Sequence, residues 1–218
     1  MSKLERFLED LPHLHTWDGG KTWNAGGFYR EAFEQIRPLI PAKARFIETG
    51  AGNSTIFFLL QDPACVVSIA PDAALFERIG TYCDQQSIPT EPLTAVIDGS
   101  QWALPRLATR SDPSFDFALI DGHHGWPMVF VDFQYMNYLL KPSGLLMLDD
   151  VQLYSVSELV ALLNEQWGYD IVCDGGKFVV FRKTTEAREL PDFGGQPYIV
   201  RRGAPKRRTM FHGWFKSA

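Results

Sequence analysis

The sequence is poor in cysteine, and the cysteines that it has are scattered. Only Cys65, Cys83 and Cys173 occur among 218 residues. An odd number of cysteines without Cys-x-x-Cys spacing argues against a disulfide framework and against a cysteine-based metal site, and it indicates a reducing compartment. We therefore expect a cytoplasmic protein in which the three thiols fill apolar space.

Long apolar runs and an excess of positive charge are also missing. No segment approaches the ~18 continuous apolar residues of a membrane span, and residues 1–15 mix acids and bases too closely for a signal peptide. The formal net charge of -5 gives no electrostatic reason for nucleic-acid binding. The basic stretch 201–208 is more typical of a solvated tail than of a binding patch. We expect neither a membrane nor a nucleic acid as partner.

The residues that are present form alternating strand and helix patterns. Apolar residues make up 45% of the chain, enough for a sizeable core. Strand-helix alternation from residue 44 onward, followed by two strands around a Gly-Gly pair, predicts an α/β fold with a mostly parallel, seven-stranded, doubly wound (Rossmann-like) sheet that ends in an antiparallel hairpin. We divide the chain into an N-terminal helical or irregular cap (1–45), the α/β domain (46–183) and a C-terminal surface extension (184–218).

The stretch FIETGAGNST, residues 46–55, places an acid and two glycines where a strand should pass into a helix. In open α/β sheets, ligands bind outside the carboxyl ends of the strands. Gly50 and Gly52 permit a sharp turn and close approach of a ligand, the next helix offers unpaired N–H groups, and Glu48 can accept hydrogen bonds from hydroxyl or ammonium groups. These features fit a nucleoside-bearing ligand, although a purely structural turn is the alternative.

Two common nucleotide-binding motifs are incomplete in this stretch. The nicotinamide fingerprint needs a third glycine where Thr55 stands, and a P-loop needs a Gly-Lys-Ser/Thr ending that is absent. An acid two residues before the first glycine, with Asn-Ser-Thr after the second, resembles instead the first motif of class I S-adenosylmethionine (SAM)-dependent methyltransferases.

The second half of the chain carries the same resemblance. FALIDGHHGWPMVFVDFQYMNYLLKPSGLLMLDDV, residues 117–151, resembles the I-D-G-x-H, L-L-K-P-G-G and D-D-V motifs of small O-methyltransferases, in particular the macrocin and catechol types and related uncharacterised bacterial enzymes. The resemblance covers about residues 46–151. It implies a SAM-dependent enzyme that methylates a hydroxyl of a small molecule. The oligomeric state is open, with a homodimer among the expectations.

Three acids follow neighbouring predicted strands: Asp121 ends one, and Asp149 and Asp150 end the next. Adjacent parallel strands bring such side chains to one edge, where carboxylates repel each other unless a positive charge compensates. A hard divalent cation with oxygen ligands would do so, and in metal-dependent relatives the matching acids hold magnesium. The alternative is that Asp149 caps a loop or helix while Asp150 is solvated.

Two histidines lie beside this acidic edge. His123 and His124 follow Asp121 closely, and a histidine near a methyl-transfer site suits a general base because it changes charge near neutral pH. His124 matches the family's I-D-G-x-H histidine, whereas His123 stands at the variable position. The sequence does not decide which of them acts with Asp121 in catalysis, and a metal-ligand role for His124 is also open.

The resemblance further implies a set of cofactor contacts, with one departure. The segment IDGSQWALPRL resembles the part of catechol-type enzymes that lies near adenine. The acid that usually binds the ribose is replaced by Ala70, and loss of a charged hydrogen bond costs ~1.5–3 kcal/mol; Asp72 is the possible substitute. The candidate cofactor-binding residues are Glu48, Gly50, Ala51, Gly52, Asn53, Ser54, Ala70, Asp72, Asp98, Gly99, Ser100 and Asp121, with Gln101 beside them.

Two aromatic segments leave alternatives open. The glycine- and aromatic-rich residues 15–28 are either a lid over the cofactor, supplying Trp17, Trp23 or Lys21, or a packed surface loop. Trp126 either lines a pocket for the methyl acceptor or belongs to the core. Ala70 also favours a second hypothesis, a non-catalytic ligand-binding protein that retains the fold, which the acids and His124 oppose.

Overall fold

The computed structural model describes residues 1–17, 21–23, 30–109, 113–166 and 168–202. The helices are α1 (Lys3–Glu9), α2 (Arg30–Ile36), α3 (Asn53–Leu59), α4 (Ala73–Gln85), α5 (Ser100–Ala108), α6 (Met128–Leu139), α7 (Tyr154–Glu165) and α8 (Pro197–Arg202), with 3-10 turns at Arg37–Leu39 and Phe193–Gly195. The strands are β1 (His15–Trp17), β2 (Lys21–Trp23), β3 (Arg45–Thr49), β4 (Cys65–Ile69), β5 (Leu93–Val96), β6 (Phe115–Ile120), β7 (Leu140–Leu148), β8 (Tyr169–Asp174) and β9 (Val179–Lys183).

Seven of these strands form one sheet in the order β5-β4-β3-β6-β7-β9-β8. The first five are parallel, whereas β9 runs antiparallel to β7 and β8 antiparallel to β9. The predicted fold class is therefore confirmed. Because the chain first adds strands on one side of β3 and later on the other, the order reverses between β3 and β6, which is where open α/β sheets form their ligand crevice.

Alternate residues of the central strands bury opposite faces of this sheet, as the two-residue period of a strand requires. Phe46 of β3 joins the core beneath α1–α4, where its ring stacks on that of Phe58 with centroids 4.4 Å apart. Its neighbour Ile47 joins the second core beneath α5–α7. Both faces are covered, which explains why the central strands carry apolar residues on both faces.

Three local features differ from the sequence prediction. Helix α5 runs unbroken through Pro105, although the sequence SQWALPRLA predicts a short helical or irregular crossover that this proline interrupts. The chain tolerates this proline because only one N–H bond is lost, towards exposed Gln101, while Ala103 and Leu104 are buried. Strand β7 begins earlier than predicted, at Leu140. The N-terminal cap contains the β1–β2 hairpin, which was not predicted.

A buried polar cluster fastens the C-terminal extension to the α/β domain. The Asn137 side chain accepts a 2.6 Å hydrogen bond from the Tyr169 hydroxyl and donates one of 2.6 Å to the carbonyl of Arg188. Lys183, in β9, donates to the carbonyls of Asn137 and Leu140, and burial lowers the pKa of its ammonium group to about 8. Residues after β9 are thereby held against α6. No helix in the described ranges has the length and apolar character needed to cross a membrane.

Candidate active site

The candidate site lies where β3, β6 and β7 end side by side. The N–H of Asp121 donates to the carbonyl of Thr49 at 3.0 Å, and that of Asp149 donates to the carbonyl of Ile120 at 3.2 Å. These bonds continue the parallel ladder one step beyond the strands. The three strand ends therefore lie along one edge of the sheet, with Glu48 near the end of β3, Asp121 after β6 and Asp149 after β7.

Glu48 is fully buried beneath the glycine loop and bonded to the chain's own hydroxyls. Its carboxylate accepts hydrogen bonds from Ser54, Thr55 and Ser68 at 2.6, 2.5 and 2.5 Å. Burial raises its pKa to about 7, against the opposing effect of the three hydroxyls. The side chain therefore links the start of α3 to β4 through hydrogen bonds. A contact between Glu48 and a cofactor stays a prediction.

The buried charge of Glu48 predicts a fall in stability as pH rises. Its pKa is about 7 in the folded protein against an ordinary value of 4.5, so the folded state holds the proton more tightly than the unfolded one. The free energy of unfolding should be highest below about pH 4.5 and decline until about pH 7, by on the order of 3 kcal/mol from this group. Glu48→Gln should flatten this part of the urea-denaturation profile.

The exposed Glu77, on α4, offers the matched control. Glu77→Gln makes the same chemical change without removing a buried charge, so its profile should follow the parent's. An unchanged slope in Glu48→Gln would mean that Glu48 is ionised at the same pH in the folded and unfolded states.

Gly50 is required by the chain itself. It has φ +90°, and a Cβ atom there would lie 2.4 Å from the carbonyl oxygen of Asp121. The close approach that the sequence attributed to a ligand is thus, at this position, an approach of β3 to β6. We expect Gly50→Val to disturb these strand ends, so it is not a clean test of cofactor binding.

Gly52 makes room for an N-terminal side chain that the sequence did not single out. A Cβ atom on Gly52 would lie 2.9 Å from Nε2 of His15, and His15 also bonds the backbone of Ala51. Burial, the largest effect, lowers the pKa of His15. The carbonyl of the preceding Leu14 accepts a hydrogen bond from Arg78, so this part of the N-terminal cap does lie on the glycine loop.

The prediction that residues 15–28 form a lid over the cofactor named other side chains than His15. The side chains of Trp17, Lys21 and Trp23 lie outside the described residues, and their proposed contact with a cofactor stays a prediction. The signal that could have identified His15 is its position at the start of the same aromatic segment, but a single histidine does not reveal which loop it touches.

Ala70 follows β4 and stands where an acid usually binds the ribose. Ala70 is buried, with its N–H donated to the carbonyl of Val96 at 3.1 Å. Asp72, its possible substitute, caps α4 through the N–H of Ala74 at 2.9 Å and pairs with Arg78 at 3.1 Å. A role for Asp72 at a ribose would compete with both partners.

The predicted adenine end lies at the start of α5. Asp98 accepts a 2.8 Å bond from the N–H of Gly99 and an ion-paired bond from Arg106, and these partners lower its pKa, with Arg106 the larger cause. Ser100 is the first residue of α5. Asp98, Gly99 and Ser100 thus share one turn, as their adjacency requires, and their contact with adenine is untested.

Asp132, on α6, is a second buried acid that sequence reasoning missed. It is fully buried beside the hydroxyls of Thr49 and Ser100. Burial, the largest effect, raises its pKa, and these hydroxyls oppose the rise. No hydrogen bond of ordinary geometry reaches either carboxylate oxygen from the described residues. An acid within the apolar run MVFVDFQYM was the available signal.

Asp121 and Asp149 form a pair of neighbouring carboxyl groups at this edge. The two side chains interact electrostatically. Burial and the neighbouring charge of Asp149 raise the pKa of Asp121 well above its ordinary value. Burial also raises the pKa of Asp149, to about 6. The pair therefore brings two carboxyls with raised pKa values to one edge, where the charge of Lys177 opposes the rise for Asp149.

His124 stands between the acids, whereas His123 faces outward. Nε2 of His124 lies 3.7 Å from a carboxylate oxygen of Asp121, and Nδ1 lies 4.0 Å from one of Asp150. Burial, the largest effect, lowers the pKa of His124, and Asp150 opposes that effect. His123 is exposed, and its Nδ1 accepts a 2.9 Å bond from the N–H of Gly125. Of the two histidines, the structure brings His124 into the acidic edge.

The three acids do not converge on one point. Asp150 has φ 55°, and its carboxylate accepts a 2.7 Å bond from Gln152. Among the described residues no group of three or more histidine, cysteine, aspartate or glutamate side chains is arranged to hold a metal ion. The donor chemistry of Asp121 and Asp149 nevertheless fits Mg²⁺, which commonly uses one or two carboxylates and keeps several waters.

One family model matches the central part of the chain. Residues 47–151 match the family model described as a methyltransferase domain. No curated protein sequence matches the chain. The matched range coincides with the residues that carry the motifs, and the predicted resemblance to class I SAM-dependent methyltransferases is confirmed.

Solved structures share the fold at low sequence identity. The chain is similar to an O-methyltransferase from Bacillus cereus in complex with SAH (S-adenosylhomocysteine), with a TM-score of 0.63 and 14% identity over 84% of this chain and 91% of the other. It is also similar to the O-methyltransferase TomG of tomaymycin synthesis from Streptomyces achromogenes, in complex with SAM (0.60, 17%, 85% and 91%). An rRNA methylase from Streptococcus thermophilus matches as well (0.54, 15%, 72% and 96%). The shared fold therefore does not decide the acceptor.

Proposed function

We propose that the protein is a SAM-dependent methyltransferase that transfers a methyl group to a hydroxyl of a small molecule. The observation that carries this proposal is the placement of His124 between Asp121 and Asp150, next to the glycine loop at the point where strand order reverses. The net charge of -5 gives the protein no general attraction to RNA, whose backbone is anionic.

His124 is the proposed general base. Burial lowers its pKa, so the imidazole is neutral at physiological pH, as a base must be before the reaction. With SAM bound, the acceptor oxygen would form a bond to the methyl carbon while the carbon–sulfur bond breaks and its electron pair stays on sulfur, giving SAH. The hydroxyl proton would pass to the imidazole of His124. Asp121 and Asp150 then stabilise the imidazolium electrostatically.

The Asp121–Asp149 pair is the proposed magnesium site. Bound there, Mg²⁺ would lower the pKa of a coordinated acceptor hydroxyl and orient it. The supporting observation is the raised pKa of the two neighbouring carboxyls, which comes first from burial and then from the charges of nearby acids, because a bound divalent cation would offset both effects. Asp150 is not a metal ligand in this arrangement. Its side chain contacts His124 and Gln152, so its proposed role is to stabilise the charged form of His124.

The glycine loop and the start of α5 are the proposed cofactor cradle. The N-terminus of α3 supplies N–H groups, and the loop from Asp98 to Ser100 would meet the adenine. Ala70 leaves the ribose hydroxyls without the usual acid, and Asp72 is already engaged by Arg78 and by its own helix. We therefore expect weaker cofactor binding than an acid at position 70 would give.

Calorimetric titration of the purified protein with SAH tests the proposal. We expect saturable binding of SAH and none of NAD⁺, because the nicotinamide fingerprint lacks its third glycine. Ala70→Glu should tighten SAH binding roughly tenfold or more, which is the effect of one charged hydrogen bond. Absence of SAH binding in folded parent protein would contradict the proposal, and unchanged affinity in folded Ala70→Glu would assign the ribose contact to another group.

A second candidate is a non-catalytic SAM- or SAH-binding protein. Ala70 and the His15 side chain lying against Gly52 favour it. Binding of SAH without methyl transfer to any hydroxyl compound in a broad panel would support this alternative over the enzyme.

A further inference from the structure

A large apolar cavity lies between α6, α7 and the C-terminal extension. Its volume is about 700 Å³, within the ~300–1,000 Å³ range of small-molecule sites. Five aromatic side chains line it: Trp126, Phe130, Phe133, Tyr154 and Tyr198. Two of them are unusually exposed for aromatic residues, Trp126 at 70% and Tyr154 at 80%. Exposed rings around a concave surface are typical of a ligand site.

The cavity adjoins the loop that carries the catalytic candidates. Trp126 follows His124 by two residues, and its ring packs against Phe130 in a T-shaped arrangement with centroids 4.8 Å apart. Ser155, on the opposite wall, donates a hydrogen bond from its hydroxyl to the carbonyl of His124. A molecule held between these walls therefore lies next to the acidic edge that His124 occupies.

The charge of the lining excludes anionic ligands. Its one ionisable acid is Glu158, which accepts a 2.5 Å bond from the Tyr198 hydroxyl, and no lysine, arginine or histidine is among the described lining residues. Arg202 stacks on the Tyr198 ring at 3.7 Å, but its guanidinium is paired with Glu165. A phosphate or carboxylate would lose its hydration here without gaining a cation.

The outer wall of the cavity comes from the C-terminal extension, beyond the matched methyltransferase segment 47–151. Leu190, Gln196, Tyr198 and Ile199 form this wall. The hydrogen bond from Asn137 to the carbonyl of Arg188 holds the extension in place. Trp126, Phe130 and Phe133 lie within the matched segment, so the extension completes a cavity that this segment begins.

We propose that this cavity holds the body of the methyl acceptor and selects a flat, aromatic and uncharged molecule. The inference rests on the proposed function and adds the substrate class and the C-terminal extension as the element that determines specificity. Aromatic rings stack favourably on the lining side chains, while the absence of a cation rejects phosphorylated or carboxylated acceptors.

The test compares two probes of the same ring system, 2-naphthol and 2-naphthyl phosphate, in calorimetric titrations of the full chain with SAH present. We expect 2-naphthol to bind and 2-naphthyl phosphate to bind at least about tenfold more weakly. Phe130→Ala, which removes a ring from the wall, should weaken 2-naphthol binding by roughly tenfold. Phe193→Ala is the control for loss of an aromatic ring, because Phe193 lies in the C-terminal extension, is 70% exposed and is not in the lining.

A charge reversal gives a second, independent measurement. Glu158→Lys places a cation in the cavity, so it should narrow or invert the preference for 2-naphthol over 2-naphthyl phosphate, with SAH affinity unchanged. Equal binding of the two probes to the parent, or a loss in Phe193→Ala that matches the loss in Phe130→Ala, would overturn the proposal. Because SAH binding is measured separately, failure of the cofactor prediction is distinguishable from failure of the cavity prediction.

Discussion

His124→Gln should lower the rate of methyl transfer by about 10²–10⁴-fold, the usual contribution of a general base, while SAH binding is retained. Gln preserves the approximate size of the side chain and can keep a polar contact with Asp121, but it cannot accept the hydroxyl proton. The measurement is single-turnover transfer from labelled SAM to 2-naphthol, or to any hydroxyl compound that the parent methylates, together with an SAH titration of the same variant.

The pH profile of the parent supplies an independent readout. Because burial lowers the pKa of His124 below its ordinary 6.5, the rate should rise with pH through a value on the acid side of 6.5 and then level off. His123→Gln is the matched control: His123 is exposed and bonded within its own loop, so this variant should keep most of the activity. If His123→Gln loses the activity and His124→Gln keeps it, the assignment of the base is wrong.

The fold could be predicted from the sequence because its signals are local and repeated. Each central strand is a short apolar run, and the helices between strands carry apolar residues at helical spacing, so alternation alone indicated a parallel sheet. Pro105 was misinterpreted because local propensity disfavours proline inside a helix. Burial of Ala103 and Leu104 in the second core outweighs that local cost.

The candidate site was predictable where it depends on strand order, and not where it depends on side-chain packing. Asp121 and Asp149 were expected together because adjacent parallel strands end together. That Glu48 is enclosed by Ser54, Thr55 and Ser68 could not be predicted, because Ser68 approaches from another strand across 20 residues of sequence. His15 is likewise far in sequence from the glycine loop that it touches.

The orientation of Asp150 and the composition of the cavity also depend on local conformation and packing, so the sequence did not predict them. Adjacent residues at the end of a strand were expected to converge, but Asp150 adopts φ 55° and turns its side chain to His124 and Gln152. This backbone conformation has no simple signal in the pair Asp-Asp. Trp126, which the sequence offered for an acceptor pocket or for the core, lines the cavity, and its contact with an acceptor stays a prediction. Tyr154 and Tyr198 reach the same cavity from elements whose packing on α6 no motif encodes.

Replacing Asp149 with asparagine should abolish the response of the protein to Mg²⁺ and, unusually for a buried polar residue, stabilise the metal-free protein at about pH 8. The pKa of Asp149 is raised to about 6 from an ordinary 3.8, so its ionised form costs the folded state on the order of 3 kcal/mol above neutral pH. Asparagine removes the charge beside Asp121 and keeps an oxygen for the Asp150 N–H. The midpoint of thermal unfolding measures both effects.

In the parent, millimolar Mg²⁺ should raise that midpoint at about pH 8 and much less at about pH 4.5, where protonated carboxyls no longer attract a cation. Chelator should reverse the shift, and in an activity assay it should slow methyl transfer. Asp84→Asn, at an exposed position of α4, is the control for a general effect of charge on ion binding. If Asp149 is only a loop cap, Asp149→Asn will instead destabilise the metal-free protein, and neither Mg²⁺ nor chelator will shift the parent's midpoint. That result, with full transfer activity in chelator, would leave His124 as a base acting without a metal.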